Sequence, residues 1–156
     1  MKEMIITSSA FKHGEMIPAR YTCDGDNISP PLDFDDVPST TVSIVVMVDG
    51  IDSSSGTMTH WIVWNIDFVE GIDEDTVPGV EGMNGFNKVC YCGPCPSEGT
   101  HRYYFIAYAL ETRLDFITGT ARNEIEDAMQ PYILDKGELM GEYARQDALS
   151  GIKEKG

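Results

Sequence analysis

The residues best able to do chemistry gather in one stretch, Val89 to Leu110 (VCYCGPCPSEGTHRYYFIAYAL). It carries three thiols, Cys90, Cys92 and Cys95, and then the polar run Thr100-His101-Arg102-Tyr103. Two imidazoles, His101 here and His60 upstream, titrate near neutrality and both donate to an anion, especially when one is protonated. Tyr103 adds a hydroxyl, and backbone N–H groups around Gly93 would add more. Such a set can hold a phosphate monoester without Lys or Arg. A lone histidine on an apolar strand face is nevertheless more often a core residue satisfied by a carbonyl, so His60 carries no assignment on its own.

The spacing C-x-C-x-x-C could supply thiolates to zinc or an iron–sulfur cluster, but no second C-x-x-C or H-x-x-x-H completes a tetrahedral set nearby in sequence. A Cys23–Cys95 disulfide or free thiols are the favoured readings, and no metal or cofactor is expected. No G-x-S-x-G elbow occurs, and no Ser stands in a context that pairs it with a base. Two histidines and an acid could run hydrolysis in principle, yet nothing supplies the nucleophile, so the chain is read as not an enzyme. Trp61 and Trp64 are read as core packing, and Arg102 as a brace bonded to an Asp such as Asp24 or Asp49.

These side chains need a scaffold. Pro94 and Pro96 keep the Cys90–Gly99 loop out of a helix, and it feeds a strand at Tyr104–Leu110. Ser43–Val48 (SIVVMV) is a β-branched run typical of a strand covered on both faces. Asp49–Gly56 reads as a polar Gly/Ser loop with a flexible Ser53–Ser55, and Met58–Ile66 as a second strong strand. Strict alternation puts Thr59, Trp61, Val63 and Asn65 on one face and Met58, His60, Ile62, Trp64 and Ile66 on the other. Residues 3–7 suit an edge strand, Met16–Tyr21 an extended edge segment, and residues 28–34 an extended run forced by prolines. Short strands are expected near Thr76–Val80 and Leu114–Ile117. Thr120 caps a helix from Ala121, Pro131 ends it, Tyr132–Leu134 turns, and Glu138–Leu149 forms a last short helix. The final residues, Gly151–Gly156, are expected to fray. Many strands with Gly/Pro turns and helix only near the end describe a mainly β sandwich, one domain over residues 1–156.

Net charge is −15 over 156 residues. From Tyr21 to Asn87 there are thirteen Asp and Glu and no Lys or Arg. That balance argues against nucleic acid and against anionic lipid surfaces. No apolar run reaches the roughly 20 residues of a membrane helix, and the start lacks a secretory h-region, so the cytoplasm is the expected location.

Five blocks now fall in order: Tyr21-Thr22-Cys23-Asp24-Gly25; Ser29-Pro30-Pro31-Leu32; Thr57-Met58-Thr59-His60-Trp61 with Trp64-Asn65-Ile66; Gly93-Pro94-Cys95-Pro96-x-x-Gly99-Thr100-His101-Arg102-Tyr103; and Leu139-x-Gly141-x-Tyr143. Together they resemble the phosphatidylethanolamine-binding protein family (the Raf kinase inhibitor protein-like group) in its bacterial and archaeal branch. The resemblance spans nearly the whole chain. It implies a Greek-key antiparallel sandwich of two sheets, with an anion pocket taking phosphate, acetate or phosphorylethanolamine-like groups. It implies ligand-binding roles for His60, His101, Tyr103, Asp49, Asp52, Gly93 and Pro94. One departure stands out: where the family turn reads D-D-P-D-A-P, this chain reads Asp49-Gly50-Ile51-Asp52-Ser53-Ser54, with Gly50 at the middle acid and no proline. The expected function is a small cytoplasmic binding protein for an anionic or phosphorylated ligand, with a regulatory role. The alternative is an inhibitor of a serine protease or kinase working through its loops. A protein partner of that kind and a homodimer complete the expectations.

Overall fold

The structure is a computed structural model describing residues 3–52, 56–67 and 70–145; the side chain of Asp52 lies outside that description. So do the loop read at Ser53–Ser55 and the terminus read at Gly151–Gly156. The elements in order are β1 (Ile5–Thr7), β2 (Leu32–Asp35), β3 (Ser43–Asp52), β4 (Gly56–Ile66), β5 (Gly71–Ile72), β6 (Val80–Glu81), β7 (His101–Leu110), α1 (Arg122–Met129) and β8 (Ile133–Tyr143). Two antiparallel sheets result, ordered β1-β2-β5 and β6-β4-β3-β7-β8. In the larger sheet β7 returns beside β3, on the side away from β4, which is the Greek-key arrangement.

The larger sheet is covered on both sides, which is why β3 is a continuous apolar run. Ile44, Val46 and Val48 join Trp61, Val63, Phe105 and residues of the small sheet in the inter-sheet core. Val45 and Met47 face the other way, with Ile62, Trp64, Ile125 and Met129 under α1. Both tryptophans are core, as their setting in β4 suggested.

Strict alternation along β4 fails twice. Asn65 takes a positive φ of 58° at one register shift, and Ile66 thereby joins the inter-sheet core instead of the helix-side cluster. At the second shift Val48 pairs with Trp61 while Asp49 pairs with Thr59, so His60 is an extra residue in the ladder. Such a β-bulge re-aims a side chain and increases local twist.

Several local expectations are corrected. Asp49–Asp52, read as part of a loop, continue β3, and Asp52 pairs with Gly56 across the ladder. Ala19–Tyr21 forms a turn of 3-10 helix where an extended segment was expected. Leu114–Ile117 is not a strand. The residue capping α1 is Ala121, without a side-chain bond; the Thr120 hydroxyl donates to the Ile117 carbonyl. The last helix, expected over Glu138–Leu149, gives way through Tyr143 to β8, which pairs with β7 from His101–Tyr143 to Leu110–Ile133, while residues 146–149 lie outside the described residues. Its inward positions are Gly137, Leu139, Gly141 and Tyr143. A Cβ on Gly137 would meet the Met4 carbonyl at 2.8 Å, and one on Gly141 would meet Ile17 at 2.6 Å. The close approach of the N-terminal segment thus excludes side chains at two points of the apolar face and hides the strand period.

Candidate functional site

The bulge turns His60 toward the inter-sheet side, at the open end of β3, β4 and β7. There it helps line a cavity of about 230 Å³ with Gly50, Met58, Phe86, Cys95, His101 and Tyr103. The His60 ring stands edge-on to Tyr103 (centroids 5.3 Å, 87°) and to Phe86 (5.1 Å, 72°). The residue is 5% exposed. Its Nδ1 lies 2.7 Å from the Cys92 carbonyl oxygen. A carbonyl only accepts, so Nδ1 carries the hydrogen, and in the neutral ring Nε2 is the acceptor. Burial, the largest influence, holds the His60 pKa below its ordinary value; the nearby carbonyls and the charge of Asp49 oppose it.

Gly50 explains how the ring fits. A Cβ there would lie 2.6 Å from His60 Nε2 and 2.9 Å from the Tyr103 ring. The space that a side chain at residue 50 would fill is taken by the imidazole edge.

The loop that carries Cys92 is fixed from several directions. Cys92 N–H donates to the His60 carbonyl at 3.1 Å, making the contact reciprocal. Gly93 N–H donates to Asn27 Oδ1 at 2.7 Å, and the Tyr91 hydroxyl to the Tyr21 carbonyl at 2.8 Å. Pro94 accepts from Cys23 N–H at 3.1 Å. A Cβ on Gly93 would lie 2.2 Å from the Tyr21 carbonyl, so only glycine permits this approach. A Cys23–Cys95 disulfide closes the same junction, resolving the alternative left open by the thiol count.

His60, His101 and Tyr103 are therefore brought together, as their motifs implied. Gly93 and Pro94 are set against the 21–27 turn, and the N–H groups of Cys92 and Gly93, expected to help hold an anion, are already engaged. Asp49 points to the opposite face of the sheet, where its carboxylate bonds the Arg122 guanidinium of α1; the same Nη1 donates to Thr59 Oγ1 at 2.9 Å. Burial opposes the charge on Arg122, but Asp49 and Glu126 together hold its pKa above the ordinary value. Arg102, read as a brace, is exposed, while Asp49 is taken by Arg122 and Asp24 by Tyr143 and Arg145. Asp52's side chain lies outside the described residues. Phe86 lines the cavity without any pointer in the sequence, since it sits in no polar motif, whereas Met58 shares the Thr57–Trp61 block with His60. Arg122 had one faint signal: a buried acid inside a segment free of Lys and Arg must find its cation elsewhere in the chain.

A two-sheet Greek-key sandwich with a histidine- and tyrosine-lined cavity at its strand ends is the class these features define. The chain belongs to the phosphatidylethanolamine-binding protein family: the family model of that description matches residues 7–144. A UPF0098 protein of Pyrococcus abyssi is 40% identical over 156 residues, covering 93% of this chain and 88% of that protein. One from Chlamydia muridarum is 40% identical over 147 residues, covering 90% and 98%. The crystal structure of a phosphatidylethanolamine-binding protein homolog from Chlamydia trachomatis is similar at a TM-score of 0.88 and 39% identity, covering 93% of this chain and 99% of that one. E. coli YbcL, described as a member of the mammalian family, is similar at 0.83 and 26% identity, covering 92% and 99%. Among the described residues no helix is long and apolar enough to cross a membrane.

Proposed function

We propose that this protein binds a small anion or phosphomonoester in the cavity beside His60, and acts as a binding protein and not an enzyme. One observation carries the reading. His60 is held by the Cys92 carbonyl at Nδ1 and set with Nε2 over Gly50, in a cavity also lined by His101 and Tyr103. With Nδ1 donating inward, Nε2 meets a ligand either by accepting a hydrogen from a P–OH or by taking up the proton and donating to P–O⁻. The first route requires a protonated, singly charged phosphomonoester; the second requires only a charged phosphoryl oxygen. The described lining holds no Lys or Arg, which fits a monoanion better than a dianion in a chain of net charge −15. Cys95, the cysteine of that lining, is held in its disulfide and offers no thiolate nucleophile. The cytoplasm is the compartment we infer, and a regulatory role the purpose.

The test is an amide NMR titration with O-phosphorylethanolamine and, separately, inorganic phosphate at low salt. Saturable shifts confined to residues near His60, Phe86 and His101, and lost in a folded His60→Ala variant, are expected. The ratio of the two affinities reports whether the ethanolamine end is read. No shifts at millimolar ligand, or equal affinity in His60→Ala, would overturn the proposal.

A further inference from the structure

Cys90 and Cys92 lie on the far side of the same loop and play no part in the cavity lining. Tyr91 between them turns inward, 9% exposed, and bonds the Tyr21 carbonyl. In an extended loop the neighbours of an inward residue share the other side. The two sulfurs accordingly stand 3.9 Å apart. Cys90 is exposed and Cys92 partly buried, and both are free thiols. The surroundings are built for the inner sulfur. Asn84, 4% exposed, donates from Nδ2 to Cys92 Sγ at 3.3 Å and to the Cys90 carbonyl at 2.8 Å. Its Oδ1 in turn accepts from the N–H groups of Phe86 and Lys88, so the amide is locked in that orientation.

We infer that Cys90 and Cys92 form a thiol–disulfide exchange site, a dithiol that reduces a small-molecule or peptide disulfide reaching the exposed Cys90. The Cys90 thiolate attacks one sulfur of R–S–S–R, forming a mixed disulfide and releasing RS⁻. The Cys92 thiolate then attacks Cys90 Sγ, closing the Cys90–Cys92 bond and releasing the second RS⁻. Two thiols are oxidised, one disulfide is reduced, and the two protons pass to the released thiolates. Closing the pair requires the sulfurs to approach from 3.9 Å to about 2 Å, a side-chain rotation at two neighbouring loop positions. Burial of its sulfur and the charge of Cys92 push the Cys90 thiol up, so the first step quickens as pH rises.

The whole chain, with Cys23–Cys95 intact, is incubated with oxidised glutathione, quenched by alkylation in denaturant, and cut beside Tyr91 for disulfide mapping by mass spectrometry. The expected result is loss of both free thiols in step, a Cys90–Cys92 linkage and no retained glutathione. In Cys92→Ser the mixed disulfide has no resolving partner and glutathione remains on Cys90. The proposal is overturned if the wild-type chain retains glutathione at either cysteine, if both thiols stay alkylatable, or if the new bond includes Cys23 or Cys95. The wild-type result decides the matter even if the variant misfolds.

Discussion

The two faces of the β3–β4 hairpin solve the same problem by opposite means. On the helix face Asp49, Arg122 and Thr59 are joined by charge and hydrogen bonds at a largely buried point. On the cavity face the equivalent row is Gly50, His60 and Tyr103, and what holds it is a loop tied down covalently and through its backbone. Charge is spent where it fixes the scaffold, and the cavity face is left nearly neutral with a titratable ring. A residue's type therefore does not tell which of these roles it plays; the side of the strand does.

The largest expected effect comes from cutting the covalent tie. The Cys23–Cys95 bond spans 72 residues of sequence. Its removal in a Cys23→Ser/Cys95→Ser double variant should cost about 4 kcal/mol of stability by relieving the unfolded chain of that closure, read as a drop in the urea midpoint. A midpoint unchanged within error would mean the hydrogen bonds at the junction suffice. Next is the helix face. Arg122→Ala leaves the Asp49 carboxylate buried without its cation and should cost about 3 kcal/mol, the lower end for a buried pair because Arg122 keeps 22% of its side chain in water. Phosphate affinity measured on the folded fraction should barely change, and a large loss would make the two faces one functional unit.

The cavity face should behave in reverse. His60→Ala should lower phosphomonoester affinity about tenfold or more, the worth of one charge-assisted hydrogen bond of roughly 1.5 kcal/mol, with a smaller change in stability. Gly50→Ala should approach that loss by displacing the ring, visible as a shift of the His60 imidazole signals even without ligand. The smallest effect is on pH. Because burial lowers the His60 pKa in the folded chain, the unfolded chain binds the proton first as pH falls. The stability owed to neutral His60 is full above about 6.5 and is lost as pH drops from there through the lower folded value. Ligand affinity should move oppositely, rising over the same interval as the proton is taken up. Calorimetry in two buffers of different ionisation heat tests this, and an affinity falling with acidification would refute the protonation scheme.

Much of this was legible in the sequence, and what was not has physical causes. The β-branched run of β3 and the block Gly93–Tyr103 announced the sandwich and two of its cavity residues, His101 and Tyr103. The resemblance groups Asp49 with the cavity acids through the family turn, and a segment read as the loop Asp49–Gly56 has no faces that would separate the two. Carried through as a strand, the same residues place Asp49 beside Met47 and Val45, away from Gly50. The part of β8 from Glu138 to Tyr143 reads as helix because Gly137 and Gly141 interrupt the inward period while Glu138, Leu139 and Met140 favour helix locally. The bulge at His60 left no mark on composition at all, since it is a property of pairing between strands.

That bulge divides β4 into two phases. Inboard, Trp61 and Val63 keep time with the core; outboard, Thr59 and Met58 keep time with the hairpin tip. A strand without the extra residue would link the two, so that any substitution shifting the tip would propagate into the sandwich. With it, selection can retune the mouth of the cavity while the packing beneath goes on undisturbed, and His60 is the clutch between them.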